Sequence, residues 1–145
     1  MVVRLQVGSF SHVLERIGLA TAGASCGLFV AAYLAKADIP FVESIGFFLL
    51  AMLCGAVGFY LGIDMPRRSL HNLQPEIGGV VLEADPVETL SAIGTFAAPI
   101  AALISVFHIV LDINPGRPWA LVVGCVWLVG VALQIAAGVF ARLGR

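Results

Sequence analysis

The chain has 145 residues, of which 60% are hydrophobic and only 12% charged, with a formal net charge of -1. Soluble domains run roughly 45–50% apolar and about 25% charged, so this inventory cannot cover a water-exposed surface without large apolar patches. That excludes a soluble globular enzyme and a disordered tail, and the near-neutral charge leaves no basic field for a nucleic-acid partner.

The eight Lys/Arg and nine Asp/Glu residues are unevenly placed. Four stretches carry none of them: 17–35, 44–63, 89–111 and 118–141. A helix rises about 1.5 Å per residue and a hydrocarbon core is about 30 Å thick, so some 20 residues span it. Backbone amides in lipid must be paired within their own segment, which favours helices. A β-barrel would need alternating strands of about 10 residues, whereas these runs are continuously apolar. The expected fold class is an all-α integral membrane protein, a four-transmembrane-helix bundle of two antiparallel helical hairpins. It forms a single transmembrane domain over 1–145.

In chain order, residues 1–10 alternate weakly through Val3, Leu5 and Val7, which reads as a short strand or a loose tail. Helix 1 is expected over about 11–37, capped by Ser9 or Ser11 with Glu15 in its first turn. Arg4 and Arg16 with Ala35-Lys36-Ala37 superficially suggest a cleaved signal peptide. The apolar run exceeds the usual 7–15 residues of such signals, however, and Glu15 sits in the wrong region, so an uncleaved helix is expected. Asp38-Ile39-Pro40 turns the chain. Helix 2 follows over about 41–64 and stops at Pro66.

The long connection, 65–85, is expected to be cytoplasmic. Its Ile77–Leu82 segment reads as extended, a possible partner for Val2–Val7. Asp85-Pro86-Val87-Glu88 is a strong helix start. Helix 3 is expected over about 86–112 with a kink near Pro99. Asn114 is the expected cap of helix 4, over about 115–142. The two turns, Asp38-Ile39-Pro40 and Asp112-Ile113-Asn114-Pro115, resemble each other faintly. Asp and Pro are ordinary turn residues, so the resemblance does not require a duplication.

Charge sets the orientation. Arg4, Arg16, Arg67, Arg68, Arg142 and Arg145 fall on one side of the spans, and Lys36 and Arg117 on the other. The positive-inside rule then places both termini in the cytoplasm, in a bacterial-type inner (plasma) membrane. Tyr33 and Trp119 are expected at the outer interface and Tyr60 at the inner one, with Trp127 deeper.

Small residues recur four apart. Gly23 and Gly27 do so in helix 1, Gly58 and Gly62 in helix 2, and Gly94 and Ala98 in helix 3. Such ridges let helices approach closely. They serve either internal packing or contact with other chains, so a homo-oligomer or a larger membrane complex joins the lipid bilayer as an expected partner. Cys26, Cys54 and Cys125 lie on separate spans without a CxxC and read as apolar filler. His12, His71 and His108 are too scattered for a haem or metal site, and no cofactor is expected.

His108 and Asp112, four apart on one face, are the best polar pair. Together with Thr95 and Gln134 they are the candidate lining of a polar path. No carboxylate sits at mid-depth, which weighs against proton-coupled export. The leading expectation is a non-enzymatic accessory or structural membrane subunit packing through small-residue faces. The alternative is an oligomeric small transporter or channel.

Overall fold

The computed structural model describes residues 3–62, 86–114 and 116–143, with side chains described from Val13 and Val87 onward in the first two stretches. These residues form four helices: α1 (Val3–Lys36), α2 (Ile45–Gly62), α3 (Pro86–Val110) and α4 (Arg117–Leu143). Each is long and apolar enough to cross a membrane. The described part of α2 has 18 residues and is about 27 Å long.

Residues 3–10 are helical, contrary to the strand or tail expected there. Extending an existing helix adds one hydrogen bond per residue fixed, whereas a lone strand needs a partner. Ser9 and Ser11 therefore lie inside α1 rather than capping it. The possible partner segment, 77–82, and the helix stop at Pro66 lie outside the described residues.

Helix α2 begins at Ile45, four residues later than expected, and its cap is Ser44. Its Oγ accepts the Phe47 amide at 3.3 Å and its carbonyl accepts the Phe48 amide at 3.3 Å. This is the standard N-cap exchange. The start of α3 at Pro86 agrees with the sequence, since proline lacks the N–H that a first helical position leaves unused. Helix α3 continues through Pro99. Gly116, not Asn114, caps α4, because its carbonyl accepts the first intrahelical bond, from the Ala120 amide at 3.1 Å.

Both turns leave their helix in the same way. Asp38 and Asp112 adopt left-handed backbone conformations, with φ of 54° and 53°. At Asp112 the bonds are those of a Schellman motif: the Ile113 amide donates to the His108 carbonyl at 3.0 Å, and the Asp112 amide to Ile109 at 3.3 Å. Aspartate is one of the few non-glycine residues that tolerates this conformation.

The helices meet around a ring in the order α1, α2, α4, α3, with α2 and α3 barely touching across it. Along α1 and α2, Gly23 meets Gly55 while Gly27 meets Ala51, so these two run antiparallel. The α3–α4 pair does the same, Gly94 and Ala98 meeting Gly130 and the residues around it. The core consists mostly of small and medium side chains, such as Val30, Ala31, Ala98, Ala101 and Ala120, with Tyr33, Phe59 and Trp127 as the large members. Large apolar residues point outward instead: Phe41, Ile45, Phe96, Leu103 and Leu143 are each more than 60% exposed. That inversion of the soluble pattern is what a hydrocarbon surround permits, because lipid tails are as apolar as leucine.

Candidate functional site

Three groups of residues stand out: the glycine seams, a buried amide at the centre, and a polar clamp at the end where the 37–44 and 111–116 turns lie.

The seams come first because they position everything else. A Cβ placed on Gly23 would collide with the Gly55 carbonyl oxygen, and one on Gly55 with that of Gly23. A Cβ on Gly27 would meet the Ala51 carbonyl in the same way. The two backbones are close enough for reciprocal Cα–H···O contacts, each weak and second-order but repeated along the seam. In the other pair, a Cβ on Gly94 would come within 2.6 Å of the Gly130 carbonyl oxygen. Ala98, fully buried, packs on Gly130 beside it. Gly58 and Gly62 face Gln134 and Val131 of α4, and a Cβ on Gly138 would run into Leu61 at 2.6 Å. All six candidate packing residues, Gly23, Gly27, Gly58, Gly62, Gly94 and Ala98, thus lie in contacts within the chain.

Gln134 occupies the pocket these glycines leave. It is fully buried. Its Nε2 donates to the Thr95 hydroxyl oxygen at 3.1 Å, joining α4 to α3. Its Oε1 has no hydrogen-bond partner among the described residues and faces Gly58, where a Cβ would lie 3.0 Å away. One turn before Thr95, Ser91 donates to the Gly62 carbonyl at 2.9 Å, tying α3 to the end of α2. The residue four further on, Pro66, carries no N–H to donate to that carbonyl, so the serine satisfies an acceptor that a helix would leave orphaned. Other hydroxyls bond to their own helices: Thr21 to Ile17, Ser25 to Thr21, and Ser105 to Ala101. Serine and threonine hydroxyls within a helix commonly donate to the carbonyl four residues back in this way.

At the turn end, His108 and Asp112 take different partners. The His108 Nδ1 lies 2.8 Å from the Ile104 carbonyl, which requires the proton on that nitrogen. Its ring packs against Tyr33, with centroids 5.2 Å apart. Asp112 instead bridges to Lys36 of α1, with Nζ to Oδ1 at 2.5 Å. The Lys36 ammonium, through this hydrogen bond and its charge, holds the Asp112 carboxyl below the usual carboxylate range. The pair lies at the surface, Asp112 being 91% exposed, so solvent screens most of its energy. Its value is geometric, since it fixes the end of α1 against the end of α3.

Tyr33 is fully buried within the bundle, and its hydroxyl has no partner among the described residues. Trp119 is half exposed, and Tyr60 stacks under the Arg16 guanidinium, 5.8 Å from its ring centre. Trp127 is buried as packing. The three cysteines are free thiols.

Gln134 and Thr95 are one polar contact; His108 and Asp112 belong to a separate one. Between Thr95 and His108, helix α3 places buried alanines, Ala98, Ala101 and Ala102, against its neighbours. Sequence reasoning missed Lys36 as the partner of Asp112, because that contact joins residues 76 positions apart. It also missed Ser91, whose carbonyl partner lies on a different helix. No group of three or more metal-ligating side chains is present among the described residues. No family model matches the sequence, and no similar protein or solved structure was found.

Proposed function

We propose that the chain is a non-enzymatic integral membrane protein, a four-helix bundle of two antiparallel hairpins acting as an accessory or structural subunit. Both termini and the 65–85 connection face the cytoplasm, in a bacterial-type inner membrane. The observation that carries this reading is the use made of polar side chains at membrane depth. Ser91 and Gln134 join helices, and Thr21, Ser25 and Ser105 bond their own helix. These groups hold the protein together.

Because the small-residue seams are occupied within the chain, partner contacts fall to the outward faces of large residues. On α3, Phe96, Ile100, Leu103 and Phe107 form one exposed stripe at helical spacing. Crosslinking in native membranes followed by native mass analysis in mild detergent tests this reading. A co-purifying partner or a stable homo-oligomer is expected. A strictly monomeric protein with no partner contradicts it.

An oligomeric transporter or channel is the second reading, and the unpartnered Oε1 of Gln134 is the observation favouring it. Flux in proteoliposomes that persists when His108→Ala, Asp112→Asn and Gln134→Leu are combined would reject that assignment of residues.

A further inference from the structure

Helices α2 and α4 touch closely where Gly58, Gly62 and Gly138 allow, then part toward the turn end. The space between them is a cleft of about 260 Å³. One wall is α2, through Phe47, Leu50 and Cys54; the other is α4, through Leu121, Cys125 and Leu128. Helix α1 closes the floor, with Leu34 packed on Gly124. The walls are apolar, and Leu50, Leu121, Cys125 and Leu128 on them are exposed, so the cleft is open to the surroundings of the bundle. An α-helix with its side chains is about 10–12 Å across and does not enter such a slot. A single flexible hydrocarbon chain does.

The α4 wall continues to a charge. Arg117, Leu121, Gly124, Cys125 and Leu128 fall at spacings of four, seven, eight and eleven, which is one face of a helix. Arg117 is exposed at the head of that stripe. From Arg117 to Leu128 the helix rises roughly 16 Å, about half of a 30 Å hydrocarbon core and thus the depth of one leaflet. Two acids, Asp38 and Glu43, are exposed in the 37–44 turn at this end, and Glu43 directly follows Val42 of the cleft lining. On the α1–α3 side of the same end, Lys36 and Asp112 neutralise each other.

We propose that this cleft is a phospholipid site, taking one acyl chain of the adjacent leaflet between α2 and α4 with the headgroup phosphate on Arg117. Guanidinium forks match phosphate oxygens well. The exposed carboxylates of the neighbouring 37–44 turn favour a zwitterionic ethanolamine headgroup, whose ammonium they attract, over a purely anionic one. The inference rests on the transmembrane reading above, on Arg117 heading the α4 face that lines the cleft, and on the exposed acids of the 37–44 turn.

The test is native mass spectrometry of the full chain, delipidated and titrated with phosphatidylethanolamine, phosphatidylglycerol or a phosphate-free isoprenoid quinone. One phosphatidylethanolamine is expected to stay bound at activation energies that strip the remaining lipid. Cys125→Trp and Leu50→Trp fill the cleft from opposite walls and should each weaken retention roughly tenfold or more, about 1.4 kcal/mol. Arg117→Gln should weaken phospholipid retention severalfold while leaving quinone association unchanged. Helical circular dichroism of each variant verifies folding, and both wall positions are exposed, so a folded variant of at least one is expected.

No retained lipid on the wild type, equal retention by a folded cleft-filling variant, or preference for the quinone would each overturn the proposal. Flotation with vesicles separates the two readings. A chain that floats but holds no lipid defeats this site alone, and a chain that does not float defeats the transmembrane reading with it.

Discussion

Gly23 and Gly55 face one another so closely that a Cβ on either would run into the other's carbonyl oxygen. The collision is with backbone, so no rotamer change relieves it; the helices must separate. Gly23→Leu or Gly55→Val should therefore destabilise at or above the roughly 1–3 kcal/mol usual for overpacking. Gly18 is the control, since a Cβ there meets nothing within 4 Å. Gly18→Ala should stabilise by about 0.5–1 kcal/mol through helix propensity. Thermal unfolding in a mild detergent compares the three. Equal effects at positions 18 and 23 would contradict the seam.

Asp38 and Asp112 hold the same left-handed backbone, but only Asp112 is bridged to Lys36. Glycine removes the conformational cost in both cases. Asp38→Gly should raise stability, by up to about 1 kcal/mol. Asp112→Gly gains the same relief and loses the bridge, so its benefit should be smaller. A larger gain at 112 than at 38 would argue against the clamp.

The bridge also predicts a pH dependence. The Asp112 carboxyl titrates below its ordinary range in the folded chain. Its contribution is therefore fully present above the unfolded carboxylate value of about 3.9 and disappears as pH falls through the lower folded value. The difference in melting temperature between wild type and Asp112→Asn should be small at neutral pH, shrink with added salt, and vanish in acid. A difference that persists in acid would place its origin elsewhere.

Gln134 poses a different question, because one end of its amide is bonded and the other is not. Methionine conserves volume and removes the unpaired oxygen, so Gln134→Met should lie within roughly 1.5 kcal/mol of wild type. Thr95→Val leaves the whole amide stranded and should cost about 1–3 kcal/mol. The double variant should recover much of that loss. A double-mutant cycle in denaturant measures the coupling, and strict additivity would mean the contact carries no energy.

The four apolar helices were legible because charge is excluded from them so completely that the gaps outline them. Their ends were less so. Ser44 was hidden as a cap because the apolar Phe41 and Val42 drew the expected helix back across Glu43 to Pro40, and the helical start at Val3 was masked by a brief alternation too short to make a strand. Repeated small residues marked the seams, yet spacing alone does not say which helix lies opposite Gly58 or Gly94. The His108–Asp112 spacing suggested a pair that a lysine 76 residues upstream in fact divides. Local periodicity reports one helix face; which faces meet depends on how the two hairpins dock. The α2–α4 cleft has no local signal at all, because it arises where two helices diverge.

The central claim is that four helices cross the bilayer with both turns on one side and both termini on the other. Single cysteines at Ser44, Asn114 and Leu143, in a chain with Cys26, Cys54 and Cys125 replaced by alanine, test it with a membrane-impermeant maleimide on intact cells. Labelling at 44 and 114 from outside, with 143 reactive only after permeabilisation, is the predicted result. Labelling of 143 in intact cells, or of 44 and 114 from opposite sides, would contradict it.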